Sequence, residues 1–190
     1  MNLANKLTLA RVVMVPFFVA FMLIKEIPFN YLWAVLIFIA ASLTDMADGK
    51  IARKYNMITD FGKFLDPLAD KVLVISALIC MVELGWTYSW VVAIIVAREF
   101  MVSGIRLVAA GSDKKIVIAA SIWGKLKTAS TMAAIVVIFL MYVLMQFGIG
   151  LDLTAVEIIR DVLMYISCLL TVVSGVQYLW SYRSIIDTNK

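Results

Sequence analysis

Long apolar runs, separated by only a few polar residues, constrain this chain more than any other feature. Of its 190 residues 64% are hydrophobic, and the mean hydropathy is +0.99, which a soluble domain of this length rarely reaches. Several runs approach or exceed the roughly 20 residues that a helix needs to cross a bilayer. The expected fold class is an all-α polytopic membrane protein of six transmembrane helices, forming one domain over residues 1–190. The spans are expected at about 7–24, 29–52, 64–83, 88–108, 119–147 and 155–182. Lys25-Glu26-Ile27-Pro28 makes the first turn, Gly85 follows the third span, and Gly148-Ile149-Gly150 breaks the fifth. The start of the chain is polar and basic, and no small-residue cleavage site follows the first apolar run, so that run is expected to remain a membrane helix. Cys80 and Cys168 lie inside expected spans and read as buried reduced thiols.

Orientation follows from the basic residues. One side of the membrane receives Lys6, Lys50, Arg53, Lys54, Lys63, Lys114, Lys115, Lys125, Lys127, Arg183 and Lys190. The other receives Lys25 and at most Arg160. Both termini are therefore expected in the cytoplasm. Trp33, Trp86, Tyr88, Trp90 and Trp180 fall near span ends and read as interfacial anchors. Glu157, Arg160 and Asp161 stand at helical spacing and read as a local ion-pair set.

Against this apolar background four aspartates, Asp45, Asp48, Asp66 and Asp70, fall within 26 residues. Asp45 and Asp48 are three apart and Asp66 and Asp70 four apart, so each pair shares a helix face. The short connection at 54–63 makes the second and third spans antiparallel neighbours, which brings the four carboxylates to one depth at the cytoplasmic boundary. Like charges that close stay ionised only with positive charge between them. Hard divalent cations prefer oxygen ligands. The chain has no histidine, and its two cysteines are far from the acids, which argues against zinc or copper. Gly49 and Ala52 leave room beside the helix for a ligand, Gly62 lies one turn before Asp66, and Arg53 offers a planar fork to a phosphate. Packing glycines are the bland reading of Gly49 and Gly62, and a structural cation site is the bland reading of the acids. The combination points instead to a phosphate-bearing ligand bound through metal.

The pattern Asp45-x2-Asp48-Gly49-x2-Ala52-Arg53-x8-Gly62-x3-Asp66-x3-Asp70 resembles the complete signature of the CDP-alcohol phosphotransferases, with all eight fixed positions present. The six-span reading is similar to that family over the whole chain. The opening Asn5-Lys-Leu-Thr8-Leu-Ala-Arg11, with Ala97-Arg98-Glu99, Ser103-Gly104-Ile-Arg106 and Gly124-Lys125-Leu-Lys127-Thr128, looks like the branch that forms phosphatidylglycerophosphate.

The resemblance implies transfer of the phosphatidyl group from CDP-diacylglycerol to sn-glycerol 3-phosphate, releasing CMP. It implies Mg²⁺ or Mn²⁺, two ions, held by Asp45, Asp48, Asp66 and Asp70, with Asp70 also the catalytic base. Asp48, Gly49, Ala52, Arg53 and Gly62 would form the CDP site. It further implies a homodimer in the plasma membrane and no nucleic-acid partner. The acceptor's own phosphate needs cations outside the metal centre, and Arg106, Lys125, Lys127 and Arg98 are the candidates. For Lys127 the competing reading is ordinary positive-inside charge. For Arg98 it is a buried pair with an acid such as Glu99 or Asp70. Two other functions remain open at this point. One is the same chemistry on inositol phosphate, serine or phosphatidylglycerol. The other is divalent-cation transport, which would spread acids along a path rather than cluster them at one face.

Overall fold

Helices form wherever the apolar runs allow them. The structure, a computed structural model, describes residues 3–54, 60–111 and 121–183. At 3–6, 45–54, 60–68, 70, 108, 110 and 111 it describes the backbone alone. The described residues hold six helices and no strand: α1 (Leu3–Leu23), α2 (Asn30–Lys54), α3 (Asp60–Glu83), α4 (Ser89–Gly111), α5 (Ile122–Gln146) and α6 (Leu153–Ser181).

Local chemistry sets the ends. α5 begins where Ser121 Oγ accepts the Gly124 amide at 3.0 Å, the bond of an N-cap serine. It ends in a Schellman motif. Gly148 has φ +77°, its amide bonds Met145 O at 3.0 Å, and the Ile149 amide bonds Leu144 O at 3.2 Å. Gly85 closes α3 in the same left-handed conformation, φ +70°, and its amide reaches Val82 O.

The chain divides into two compact units. The first comprises Met1–Gly85 and Ile135–Asp152, so it holds α1, α2, α3 and the second half of α5. There α1 packs on both α2 and α3. Its centre is a triangle of rings, with Phe18–Phe38 at 5.7 Å, Phe18–Phe139 at 6.0 Å and Phe38–Phe139 at 5.8 Å. Such tilted and edge-on pairs are the favoured aromatic geometries. At one end of the unit Gln146 Nε2 donates to Asn30 Oδ1 at 2.6 Å, and Phe29 stacks on Phe147 at 5.1 Å. These contacts hold the start of α2 beside the end of α5.

The second unit comprises Trp86–Ala134 and Leu153–Lys190. Here α4 packs on α6 through Val102, Ile105 and Tyr178, flanked by Met101 and Tyr182. α5 joins α6 through Thr131 Oγ1 and Ser167 Oγ, 2.6 Å apart and buried.

Both units bury polar groups and expose apolar ones. Arg11, Arg98, Lys127, Thr131, Ser167, Thr171 and Ser174 are buried, whereas Phe17, Leu43, Ile79, Phe100, Leu107, Leu169 and Trp180 are exposed. The interior is otherwise apolar, but such extensive apolar exposure is unlike the surface of a water-soluble domain. α5 and α6 are long and apolar enough to cross a membrane, and Leu7–Leu23 and Asn30–Thr44 are shorter apolar stretches. Cys80 and Cys168 are free and buried, as expected. Trp33, Tyr88, Trp90 and Trp180 are exposed like anchors, but Trp86 is only 5% exposed and packs as core. Its position one residue after the Gly85 turn does not distinguish it from an anchor in sequence. Arg160 Nε pairs with Asp161 at 3.0 Å.

Candidate active site

Helical register carries the buried stripes of the first unit into its polar residues. On α1 the buried positions are Thr8, Arg11, Val15, Phe18 and Met22, at alternating steps of three and four, so they form one face. On α2 Phe38 and Ala41 are buried, and the same steps continue to Asp45 and Asp48. On α3 Ala69, Leu73, Ala77, Cys80 and Met81 are buried, and stepping back along the helix reaches Asp70 and Asp66. Both acid pairs therefore occupy register positions that extend the inward faces of two helices packed on α1. Lys54 and Asp60 are six residues apart, which limits the gap between the end of α2 and the start of α3 to about 20 Å. The side chains of Asp45, Asp48, Asp66, Asp70, Gly49, Ala52, Arg53 and Gly62 lie outside the described residues.

One turn before Asp45 the packing is explicit. Arg11 is 1% exposed, and its Nε donates to Ala41 O at 3.2 Å. Thr44 Oγ1 donates to the same carbonyl at 2.7 Å. Phe18 of α1 meets Phe38 of α2, whereas Arg11, earlier in α1, meets Ala41, later in α2. The two helices thus run antiparallel, and the start of α1 accompanies the acidic end of α2.

The second unit holds the cations. Arg98 of α4 is buried. Its Nη1 lies 3.3 Å from Glu99 Oε1 and its Nη2 donates to Ser174 Oγ of α6 at 2.6 Å. Its Nε is buried without a hydrogen-bond partner among the described residues. The stem lies against glycines: a Cβ at Gly175 would stand 3.2 Å from Arg98 Cγ, and one at Gly124 would stand 3.6 Å from Nη2. Lys127 of α5 is 3% exposed and its Nζ donates to Glu99 Oε1. Two buried cations from α4 and α5 therefore meet on one carboxylate.

Arg106 lies two turns along α4 and is exposed. Its Nε donates to the Tyr178 hydroxyl at 3.0 Å, and its guanidinium sits 5.8 Å from that ring's centroid. Lys125 is exposed and, two residues before Lys127, lies on another face of α5. The structure thus joins Arg98 to Lys127 and leaves Arg106 and Lys125 separate from that pair. The Arg98–Glu99 pair considered from sequence is present. Lys127 is not a solvated surface charge. Ser174, Gly175 and Tyr178 escape a reading of the sequence by charge. Their only trace is a run of small and hydroxyl residues on α6, Ser167, Thr171, Ser174 and Gly175, at helical spacing.

Comparison with known proteins settles the family. The CDP-alcohol phosphatidyltransferase family matches residues 1–173. The chain belongs to this family. It is 40% identical over 188 residues to a CDP-diacylglycerol–glycerol-3-phosphate 3-phosphatidyltransferase of Bacillus subtilis, covering 93% of each chain. Proteins of the same name from Haemophilus influenzae and Sodalis glossinidius are 39% and 38% identical. The Haemophilus comparison covers 94% of this chain and 91% of the relative, and the Sodalis one 96% of each. As a CDP-alcohol phosphatidyltransferase the chain is an enzyme of a family that generally uses divalent metal ions. Among its described residues no three acidic, cysteine or histidine side chains stand together.

Proposed function

We propose that this enzyme transfers the phosphatidyl group of CDP-diacylglycerol to sn-glycerol 3-phosphate, giving phosphatidylglycerophosphate and CMP. The observation that carries the reading is the register of the two acid pairs, each extending a buried stripe of helices packed on α1. The names of the relatives, matched over nearly their whole length, support the acceptor.

Asp45, Asp48, Asp66 and Asp70 would hold one or two ions, Mg²⁺ or Mn²⁺. Such ions neutralise a diphosphate and stabilise charge on the departing CMP. Asp48, Gly49, Ala52, Arg53 and Gly62 bind the CDP moiety. Asp70 takes the proton of the acceptor hydroxyl as its oxygen bonds the β-phosphorus and the bond to the CMP oxygen breaks. Arg98 and Lys127 bind the acceptor's phosphate. The Nε of Arg98, buried without a partner among the described residues, supports this, since a phosphate oxygen would satisfy such a donor. Arg106 and Lys125 add cationic contacts.

The extensive apolar exposure supports six membrane spans, and the distribution of basic residues supports cytoplasmic termini with the acids at the cytoplasmic face of the plasma membrane. A homodimer fits the family reading.

The acceptor is tested by metal-dependent release of CMP from CDP-diacylglycerol, with glycerol 3-phosphate, inositol phosphate, serine and phosphatidylglycerol supplied separately. Only glycerol 3-phosphate is expected to support release; a faster reaction with another acceptor would refute the assignment. In the same assay Arg106→Ala combined with Lys125→Ala is expected to raise KM for glycerol 3-phosphate by roughly tenfold, as two partly solvated charge contacts would. An unchanged KM would remove both residues from the acceptor site.

A further inference from the structure

The opening motif Asn5-Lys-Leu-Thr8-Leu-Ala-Arg11 takes no part in the chemistry above, yet Thr8 and Arg11 are each 1% exposed. Val15, Phe18 and Met22 fill the later positions of the same stripe with apolar groups. A guanidinium at the Arg11 position is costly to bury, and an apolar side chain would pack there at less cost. One of its contacts bears on the site. Arg11 Nε reaches across to Ala41 O. In an α-helix that carbonyl is the acceptor for the amide of Asp45.

Thr44 Oγ1 competes for the same oxygen. One turn earlier Ser42 Oγ donates to Phe38 O at 2.8 Å. Side chains that bond back to helix carbonyls weaken and bend the ladder. Two hydroxyls thus bond carbonyls of the turn of α2 leading to the acids, and an arginine from α1 is bonded to the same turn.

We propose that Arg11 is a positioning residue: by holding the Ala41 carbonyl it sets the direction in which α2 carries Asp45 and Asp48, and hence how tightly that end binds a divalent cation. The inference rests on the metal-holding role proposed for the aspartates. It differs from simple packing because its effect appears in metal affinity, as for outer-shell groups that orient ligands.

The test is direct Mn²⁺ titration by electron paramagnetic resonance on the intact chain in lipid nanodiscs, alongside steady-state kinetics. Arg11→Ala is expected to weaken Mn²⁺ binding about tenfold or more. Its kcat should fall, with KM for glycerol 3-phosphate unchanged. Arg11→Lys keeps the charge but loses the fixed Nε donor, and should recover part of the affinity. Phe18→Leu, two turns along the same stripe, should lower the unfolding temperature and leave Mn²⁺ affinity unchanged. If Arg11→Ala does not fold, Arg11→Lys and Thr44→Val carry the test, each expected to shift Mn²⁺ affinity in a folded protein. Wild-type affinity in a folded Arg11 variant overturns the proposal, as does an equal loss in Phe18→Leu. Absence of Mn²⁺ binding by the unaltered protein would instead overturn the metal reading itself.

Discussion

Asp70→Asn is expected to retain CDP-diacylglycerol and lose turnover, by about 10³-fold, within the range that a general base contributes. Asparagine has nearly the same volume and keeps one oxygen able to face a cation, so the substrate's diphosphate can still be held. It cannot accept a proton from the acceptor hydroxyl. Asp70 stands three residues before the buried Leu73, a helical step along α3. The check is twofold: binding of CDP-diacylglycerol measured without acceptor, and single-turnover release of CMP with glycerol 3-phosphate present. Preserved binding with lost release is the expected pair of results. Normal release would take the proton-accepting role away from Asp70.

The second large effect is at Arg98. Arg98→Ala is expected to lower kcat/KM for glycerol 3-phosphate about 100-fold, which corresponds to roughly 3 kcal/mol and to one or two charge-assisted hydrogen bonds. The substitution also leaves Ser174 without its donor and opens space between Gly124 and Gly175. A loss confined to the KM of glycerol 3-phosphate, with the KM of CDP-diacylglycerol unchanged, identifies a phosphate contact. Equal losses for both substrates identify a structural ion pair with Glu99. Arg98→Lys is not expected to restore activity, because a single ammonium cannot serve Glu99, Ser174 and a phosphate from one fixed plane.

Much of this was legible from residue order. Hydropathy located the six helices, and glycine located the ends at Gly85 and Gly148, where φ is positive. The acids declared themselves because charge is rare in such a chain. Other features were hidden for physical reasons. α1 starts at Leu3, before its apolar run, because hydropathy marks the apolar stretch and not the polar turn that continues the same helix. Lys127 carried the same signal as any cytoplasmic lysine. Its burial and its pairing with Glu99, 28 residues away, separate it from Lys125. The small residues Ser174 and Gly175 become meaningful only once α6 lies against α4 and the stem of Arg98.

The most direct test of the central claim is a crystal structure of the protein with Mn²⁺ and CDP-diacylglycerol, read by anomalous scattering. One or two manganese peaks, each about 2.0–2.4 Å from carboxylate oxygens contributed by both α2 and α3, are expected among Asp45, Asp48, Asp66 and Asp70. Manganese held elsewhere, or by acids of one helix alone, would contradict it.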